Sequence, residues 1–305
     1  MPLANSGVLA SALLEPFRHA FMVDAMLAGT AIAAVCAVLS CYLVLKGWSL
    51  MGDAISHAVL PGIVLAAMFG LPIPLGAFLS GLFCAVGAGF IKANSRIKED
   101  TVLGVVFTGL FAFGIVLFTA LKIDLHIDKV LFGNILGLLP GDLQATLVTS
   151  AAVLVVVVAL RRDLLLFCFD PAQARAIGLR TGLLYYLLLS LLALTIVVAL
   201  KAVGILLVVA MLVTPGCVGF LLTVRFGKML CVSLGCAVGS TFLGIYLSFF
   251  LNASPAACIV LVQALVFGAA MGFAPKHGLL RLKEGPLARG PRRVTNGDTQ
   301  NKNRC

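Results

Sequence analysis

The sequence predicts an all-α fold: a polytopic transmembrane helical bundle of about nine spans, or eight if one run is misread. Three observations predict it. The 305 residues are 61% hydrophobic and 11% charged, with a mean hydropathy of +1.13; a soluble domain is about 45–50% apolar and about 25% charged. The apolar residues gather into charge-free runs of the ~20 residues that a bilayer-crossing helix needs. Lys and Arg are distributed very unevenly between the two sides of those runs.

Taken in order, residues 1–20 contain Glu15, Pro16, Arg18 and His19 and read as an N-terminal interfacial segment, ahead of a membrane domain over 21–275. The first span covers 25–45. A longer apolar stretch, 58–91, is interrupted by Leu71-Pro72-Ile73-Pro74. Proline lacks the N–H that a helix interior needs, so two spans joined by a tight turn are expected, the first beginning near Leu50. The next span, 101–121, opens on Glu99-Asp100. Residues 122–142 follow, with Lys122, Asp124, His126, Asp128 and Lys129 ahead of a short apolar piece, 130–139. That piece is too short to cross and reads as interfacial or re-entrant. Further spans fall at 143–160, 183–200, 202–224, 229–251 and 253–274, the second and third of these closely spaced.

Lys and Arg favour the cytoplasmic side. With the loop 161–180 placed inside, alternation puts eighteen of the 22 Lys and Arg inside and leaves Arg18, Lys122, Lys129 and Lys201 outside. An extracytoplasmic N-terminus and a cytoplasmic C-terminus follow. Residues 276–305 hold eight of the inside charges and read as a basic, disordered tail. The net charge of +10 is therefore a mark of topology and not of nucleic-acid binding. The nine cysteines form no C-x-x-C pair and lie mostly in apolar runs, where a free thiol behaves as a small hydrophobe.

Within the second span, Asp53 and His57 interrupt the run Leu50-Met51-Gly52-Asp53-Ala54-Ile55-Ser56-His57-Ala58-Val59-Leu60-Pro61. A charged side chain at the centre of a bilayer costs roughly 2.5–3.5 kcal/mol on insertion scales. Residues four apart share a helix face, so a carboxylate and an imidazole point the same way and form a half-site for a divalent transition metal. Pro61 removes the N–H that would bond the His57 carbonyl. Ser56 and Pro61 thus join the expected substrate path. Glu99 and Asp100 also open a span from the cytoplasmic side and could share its vestibule, although acidic residues there also serve as caps.

The loop Asp170-Pro171-Ala172-Gln173-Ala174-Arg175-Ala176-Ile177-Gly178-Leu179 reads as a short cytoplasmic helix, with Asp170 as N-cap, Pro171 in its first turn and Gly178 ending it. It is a natural lever for a soluble partner. No G-x-x-x-x-G-K-[ST] occurs, so the chain has no P-loop and is not read as an enzyme. No H-E-x-x-H pattern occurs either, and the other spans lack the chains of buried acids that a proton relay uses. A stand-alone secondary metal transporter is the alternative reading.

Over roughly 14–274 the chain resembles the permease subunits of bacterial zinc/manganese/iron ABC importers. The most specific element is Gly47-Trp48-Ser49-Leu50-Met51-Gly52-Asp53-Ala54-Ile55-Ser56-His57-Ala58-Val59-Leu60-Pro61-Gly62, which matches that family's G-D-A-x-S-H-A-x-x-P-G signature. Ile97-Lys98-Glu99-Asp100-Thr101, Leu131-Phe132-Gly133-Asn134-Ile135-Leu136-Gly137 and the loop at 170–179 support it. The resemblance implies a multi-pass protein of the bacterial inner membrane that pairs with a second permease subunit, as a homodimer or with a paralogue. It implies a cytoplasmic ABC ATPase docked through Asp170, Pro171, Gln173, Ala174, Ala176 and Gly178, and an extracytoplasmic metal-binding protein that delivers the cargo. Many relatives carry Glu where this loop has Gln173. The metal is transported and not bound permanently, and Asp53 and His57 take the positions implied to line its path, with Glu99 and Asp100 as further contributors. A carboxylate with an imidazole and no thiolate suits manganese or ferrous iron; zinc accepts the same ligands. The wording of the signature favours the manganese/iron branch.

Overall fold

In the computed structural model, residues 15–48, 50–97, 99–121, 133 and 135–273 are described, without the side chains of Ala93, Glu99, Asp100, Leu121 and Phe273. The tail at 276–305, most of 122–134 and residues 1–14 lie outside the described residues, and so do the expectations placed on them.

Eleven α-helices make up the described chain: α1 (Ala20–Lys46), α2 (Met51–Phe69), α3 (Ile73–Ala93), α4 (Glu99–Leu121), α5 (Pro140–Ala159), α6 (Arg161–Phe169), α7 (Pro171–Ala176), α8 (Thr181–Val203), α9 (Ile205–Leu222), α10 (Phe226–Leu251) and α11 (Pro255–Phe273). Nine of them are long and apolar enough to cross a bilayer, all except α6 and α7. No strand occurs among the described residues.

Helix breaks fall where backbone chemistry requires them. Gly47 (φ 76°) ends α1 in the left-handed conformation, which costs other residues roughly 1–2 kcal/mol. The Gly47 N–H donates to the Val44 carbonyl and the Trp48 N–H to that of Leu43, a closing pattern that satisfies the last carbonyls of the helix. Gly70 closes α2 in the same way, and Pro74 sits in the first turn of α3, so the expected turn at 71–74 is present. Gly204 alone separates α8 from α9. Lys201, expected in a loop, lies instead in the last turn of α8, with its Nζ 3.4 Å from Asp142 Oδ1 on α5.

Two groups of helices face each other. In the first, α3 and α4 pack on α2; in the second, α9 and α10 pack on α1, with α11 against both; α8 and the Gly52–Leu212 contact join the groups. α1 and α8 are largely buried, whereas α4 and α5 present most of their apolar side chains outward, as helices facing lipid or another subunit do. The α2–α3 crossing is close because two glycines meet: a Cβ on Gly62 would strike the Gly76 carbonyl, and one on Gly76 that of Gly62.

α9 contains a second in-helix proline, Pro215, and its broken turn is filled by neighbours. Ser40 Oγ accepts from the Gly216 N–H (2.9 Å) and donates to the Val213 carbonyl (3.2 Å). Ser233 Oγ donates to the Pro215 carbonyl at 2.8 Å. In a bilayer no water is at hand to do this.

At the end of the bundle where α1 begins, a 3₁₀ turn at Glu15–Arg18 lays Phe17 against Phe242 and Tyr246 of α10. Between α4 and α5, a 3₁₀ turn at Ile135–Gly137 buries Ile135 against α1 at Gly29. Gly133 (φ 66°) meets the backbone of Val203 and Gly204 so closely that a side chain would not fit. In the short apolar piece expected to be interfacial or re-entrant, Gly133 and Ile135 thus pack into the bundle, while Gly137 and Leu139 are exposed.

Candidate metal path

Asp53 lies in the first turn of α2 and His57 one turn later. The carboxylate is thus at the N-terminal end of the span, where the positive end of the helix dipole favours it, and not at its middle. Asp53 Oδ1 and His57 Nε2 are 3.4 Å apart, with side chains 33% and 29% exposed. Four-residue spacing brings the pair together as expected, and both groups remain accessible.

The His57 ring is held by two aromatics of α4. It stacks on Phe107 (centroids 6.1 Å, 26°) and meets Phe111 edge-on (5.3 Å, 77°). Its Nδ1 is enclosed with no hydrogen-bond partner. A buried polar atom left unpaired costs about 1–3 kcal/mol, so the imidazole has a nitrogen in want of a ligand or donor. A cavity of about 320 Å³ opens beside it, lined by Ser56, His57, Leu60, Phe111, Ile115 and Thr119 among others. Its walls are largely apolar, which limits competition from water for whatever His57 holds.

Ser56 contributes to that wall, but its hydroxyl is 1% exposed and donates to the Gly52 carbonyl at 2.7 Å. Its proton is committed to the backbone, which leaves the oxygen lone pairs as the only polar function Ser56 brings to that wall. Pro61 is packed by α4 at Gly114, whose Cβ position lies 2.9 Å from the Pro61 nitrogen. From α3, Ser80 Oγ donates to the carbonyl of Ala58, next to His57, at 2.6 Å. Sequence reasoning did not find Phe107, Phe111, Gly114 or Ser80. The signal available was a neighbouring span with small and aromatic residues in helical spacing, which does not name its partner.

Glu99 and Asp100 begin α4. Phe107 and Phe111 lie beside His57, and Gly114 beside Pro61, so α2 and α4 run parallel. This register sets the start of α4 more than one helical turn to the cytoplasmic side of Asp53. Among the described residues, no group of three or more His, Cys, Asp or Glu side chains converges. The eight described cysteines are free and scattered. Asp53 and His57 therefore stand as a pair of donor groups, one carboxylate and one imidazole, with no third such side chain beside them among the described residues.

In the loop at 170–179, Asp170 caps α7 as expected, its Oδ1 accepting from the N–H groups of Ala172 (2.9 Å) and Gln173 (3.0 Å). Gly178 (φ 86°) ends the turn. Ala172, Gln173, Arg175 and Ala176 are exposed, and so is Ile177. Ala174 is fully buried. It turns toward its own chain, away from the outward face of the helix.

Residues 18–274 match the sequence profile of the ABC 3 transport family. The chain is 50% identical over 282 residues to the chelated iron transport system membrane protein YfeD of Yersinia pestis, covering 92% of this chain and 95% of that protein. It is 49% identical over 278 residues to the manganese transport system membrane protein MntB of a Synechocystis species, covering 90% and 91% respectively. Among solved structures, PsaBC from Streptococcus pneumoniae, in complex with a Fab, superposes with a TM-score of 0.80 at 34% identity, covering 90% of this chain and 99% of that one.

Proposed function

The chain belongs to the ABC 3 transport family and is a multi-pass membrane permease of an ABC-type metal importer in the bacterial inner membrane, and we propose that it conducts manganese or ferrous iron past Asp53 and His57. The observation that carries this reading is the carboxylate–imidazole pair on one accessible face of α2, beside a cavity and with one imidazole nitrogen unpartnered. Oxygen and nitrogen donors without thiolate suit these cations. The iron and manganese in the names of the relatives support the same choice.

A two-ligand site holds a cation loosely, which suits a path more than a store. The remaining ligands come from water or from a second permease subunit placed against the outward apolar faces of α4 and α5. The metal arrives from an extracytoplasmic binding protein. A separate cytoplasmic ATPase docks on α7 through Ala172, Gln173 and Ala176 and drives the cycle; Asp170, Pro171 and Gly178 fix the shape of that helix. The chain's family supports this reading over a carrier that works alone.

Reconstitution tests it. The permease, its ATPase and the metal-binding protein are placed in proteoliposomes and supplied with Mn²⁺, Fe²⁺ or Zn²⁺, with and without ATP. ATP-dependent uptake of Mn²⁺ or Fe²⁺ is expected. Uptake that proceeds equally without ATP overturns the ATPase assignment, and uptake of Zn²⁺ alone overturns the choice of metal.

A further inference from the structure

One link between the loop helices α6 and α7 and the helix that carries Asp53 runs through a single side chain. Lys46, the last residue of α1, is half-buried. Its Nζ lies 4.2 Å from the centre of the Phe167 ring and donates to the Phe167 carbonyl at 3.4 Å. The same Nζ lies 5.9 Å from the centre of the Trp48 ring. An ammonium within about 6 Å of an aromatic face is attracted by its quadrupole, so Lys46 is held to both rings.

Each ring belongs to a different part of the machine. Phe167 is on α6, is itself buried, and precedes the α7 cap Asp170 by three residues. Trp48 is 2% exposed and meets Tyr185 of α8 edge-on at 5.3 Å. Its carbonyl accepts from the N–H of Met51, the first residue of α2. Only two residues separate Trp48 from α2, and Asp53 follows in the first turn. The described steps of this path are ring contacts, hydrogen bonds and covalent links. A displacement at α7 therefore has a route to Asp53.

We propose that Lys46 is the positioning residue that couples the loop helix α7 to the metal helix α2, by holding Phe167 and Trp48 as one unit. The proposal rests on the reading that an ATPase docks at α7. Its chemistry is that of a cation between two aromatic faces. Arginine, which also stacks on such faces, preserves it. Methionine keeps the bulk and loses the charge.

The test uses the complete complex with Mn²⁺ as the probe, comparing wild type, Lys46→Met and Lys46→Arg. Lys46→Met is expected to retain the ATPase on purification and to hydrolyse ATP at the basal rate, while Mn²⁺ imported per ATP falls about tenfold, the scale of a partly desolvated cation–π contact. Lys46→Arg is expected to restore import. Unchanged import per ATP in Lys46→Met overturns the proposal. So does loss of the ATPase from that variant, which would make Lys46 a support for the docking loop only. Failure of the underlying reading shows separately, in the wild-type arm, as a permease that neither retains the ATPase nor responds to ATP.

Discussion

Gly114 of α4 lies directly over Pro61 of α2: a Cβ at 114 would come within 2.9 Å of the Pro61 nitrogen and 3.0 Å of its Cδ. The two helices meet at the proline, one turn beyond His57. Gly109, on the same helix, has open space around it. Gly114→Ala is therefore expected to destabilise the permease by about 1–3 kcal/mol, the range for overpacking, and to depress uptake. Gly109→Ala is expected to be neutral or slightly stabilising, because alanine favours helix by up to about 1 kcal/mol over glycine. Thermal unfolding in detergent, run on both variants, separates them; equal melting temperatures would show that α4 slides freely over Pro61.

Asp53→Ala and His57→Ala should each bring uptake at limiting metal to background while membrane insertion is unchanged. In Asp53→Ala, the His57 Nε2 also loses its neighbour at 3.4 Å. Normal uptake by both variants would remove the pair from the path.

Pro61→Ala supplies the N–H that the His57 carbonyl lacks. The protein should become more stable, by up to about 3 kcal/mol on the helix-interior scale, and uptake should fall if the proline shapes the path beside His57. Undiminished uptake across metal concentrations would show that the proline is merely tolerated.

The two faces of α7 call for opposite outcomes. Ala176→Glu, on the exposed face, should leave the melting temperature unchanged and abolish ATPase co-purification. Ala174→Glu forces a charge into a fully buried position and should lower the melting temperature first. If both variants behave alike, the docking face has been misplaced.

Topology is open to thiol chemistry. A membrane-impermeant maleimide added outside should label a cysteine introduced at Asp124 and spare Cys305. Cys168, on the cytoplasmic α6, should stay silent even in opened vesicles. Burial raises its pKa to about 12, only partly offset by the Lys46 charge. The thiolate is the reacting form, and at pH 8 it is then roughly one part in ten thousand of that thiol. Reactivity should rise only at strongly alkaline pH or on unfolding. Labelling of Cys305 from outside would reverse the orientation.

Span positions were legible in the sequence because the bilayer sets a length and the prolines and glycines set the breaks. The turn at 71–74 and the cap at Asp170 follow from local backbone chemistry. Asp53 and His57 were legible because four-residue spacing alone puts them on one face. Lateral packing was not. Lipid and protein interior are both apolar, so the spans carry little pattern to mark which side faces a neighbour. Gly109 and Gly114 are the same residue on the same helix, yet only one touches Pro61. Likewise, Ala172, Ala174 and Ala176 are chemically identical in the sequence, and only the fold turns the middle one inward.

The serine that fills the broken turn of α9 sits 173 and 176 residues upstream of its two backbone partners. Its helix is made first and theirs far later. Until α9 arrives, the Ser40 hydroxyl has only its own helix to bond, as serines in membrane helices do through the preceding turn. α9 brings Pro215 with it, and the hydroxyl that bonds the backbone on either side of that proline belongs to a helix made well before it. The packing of α9 on α1 therefore follows the order of synthesis: Ser40 finds these two partners only when α9 arrives.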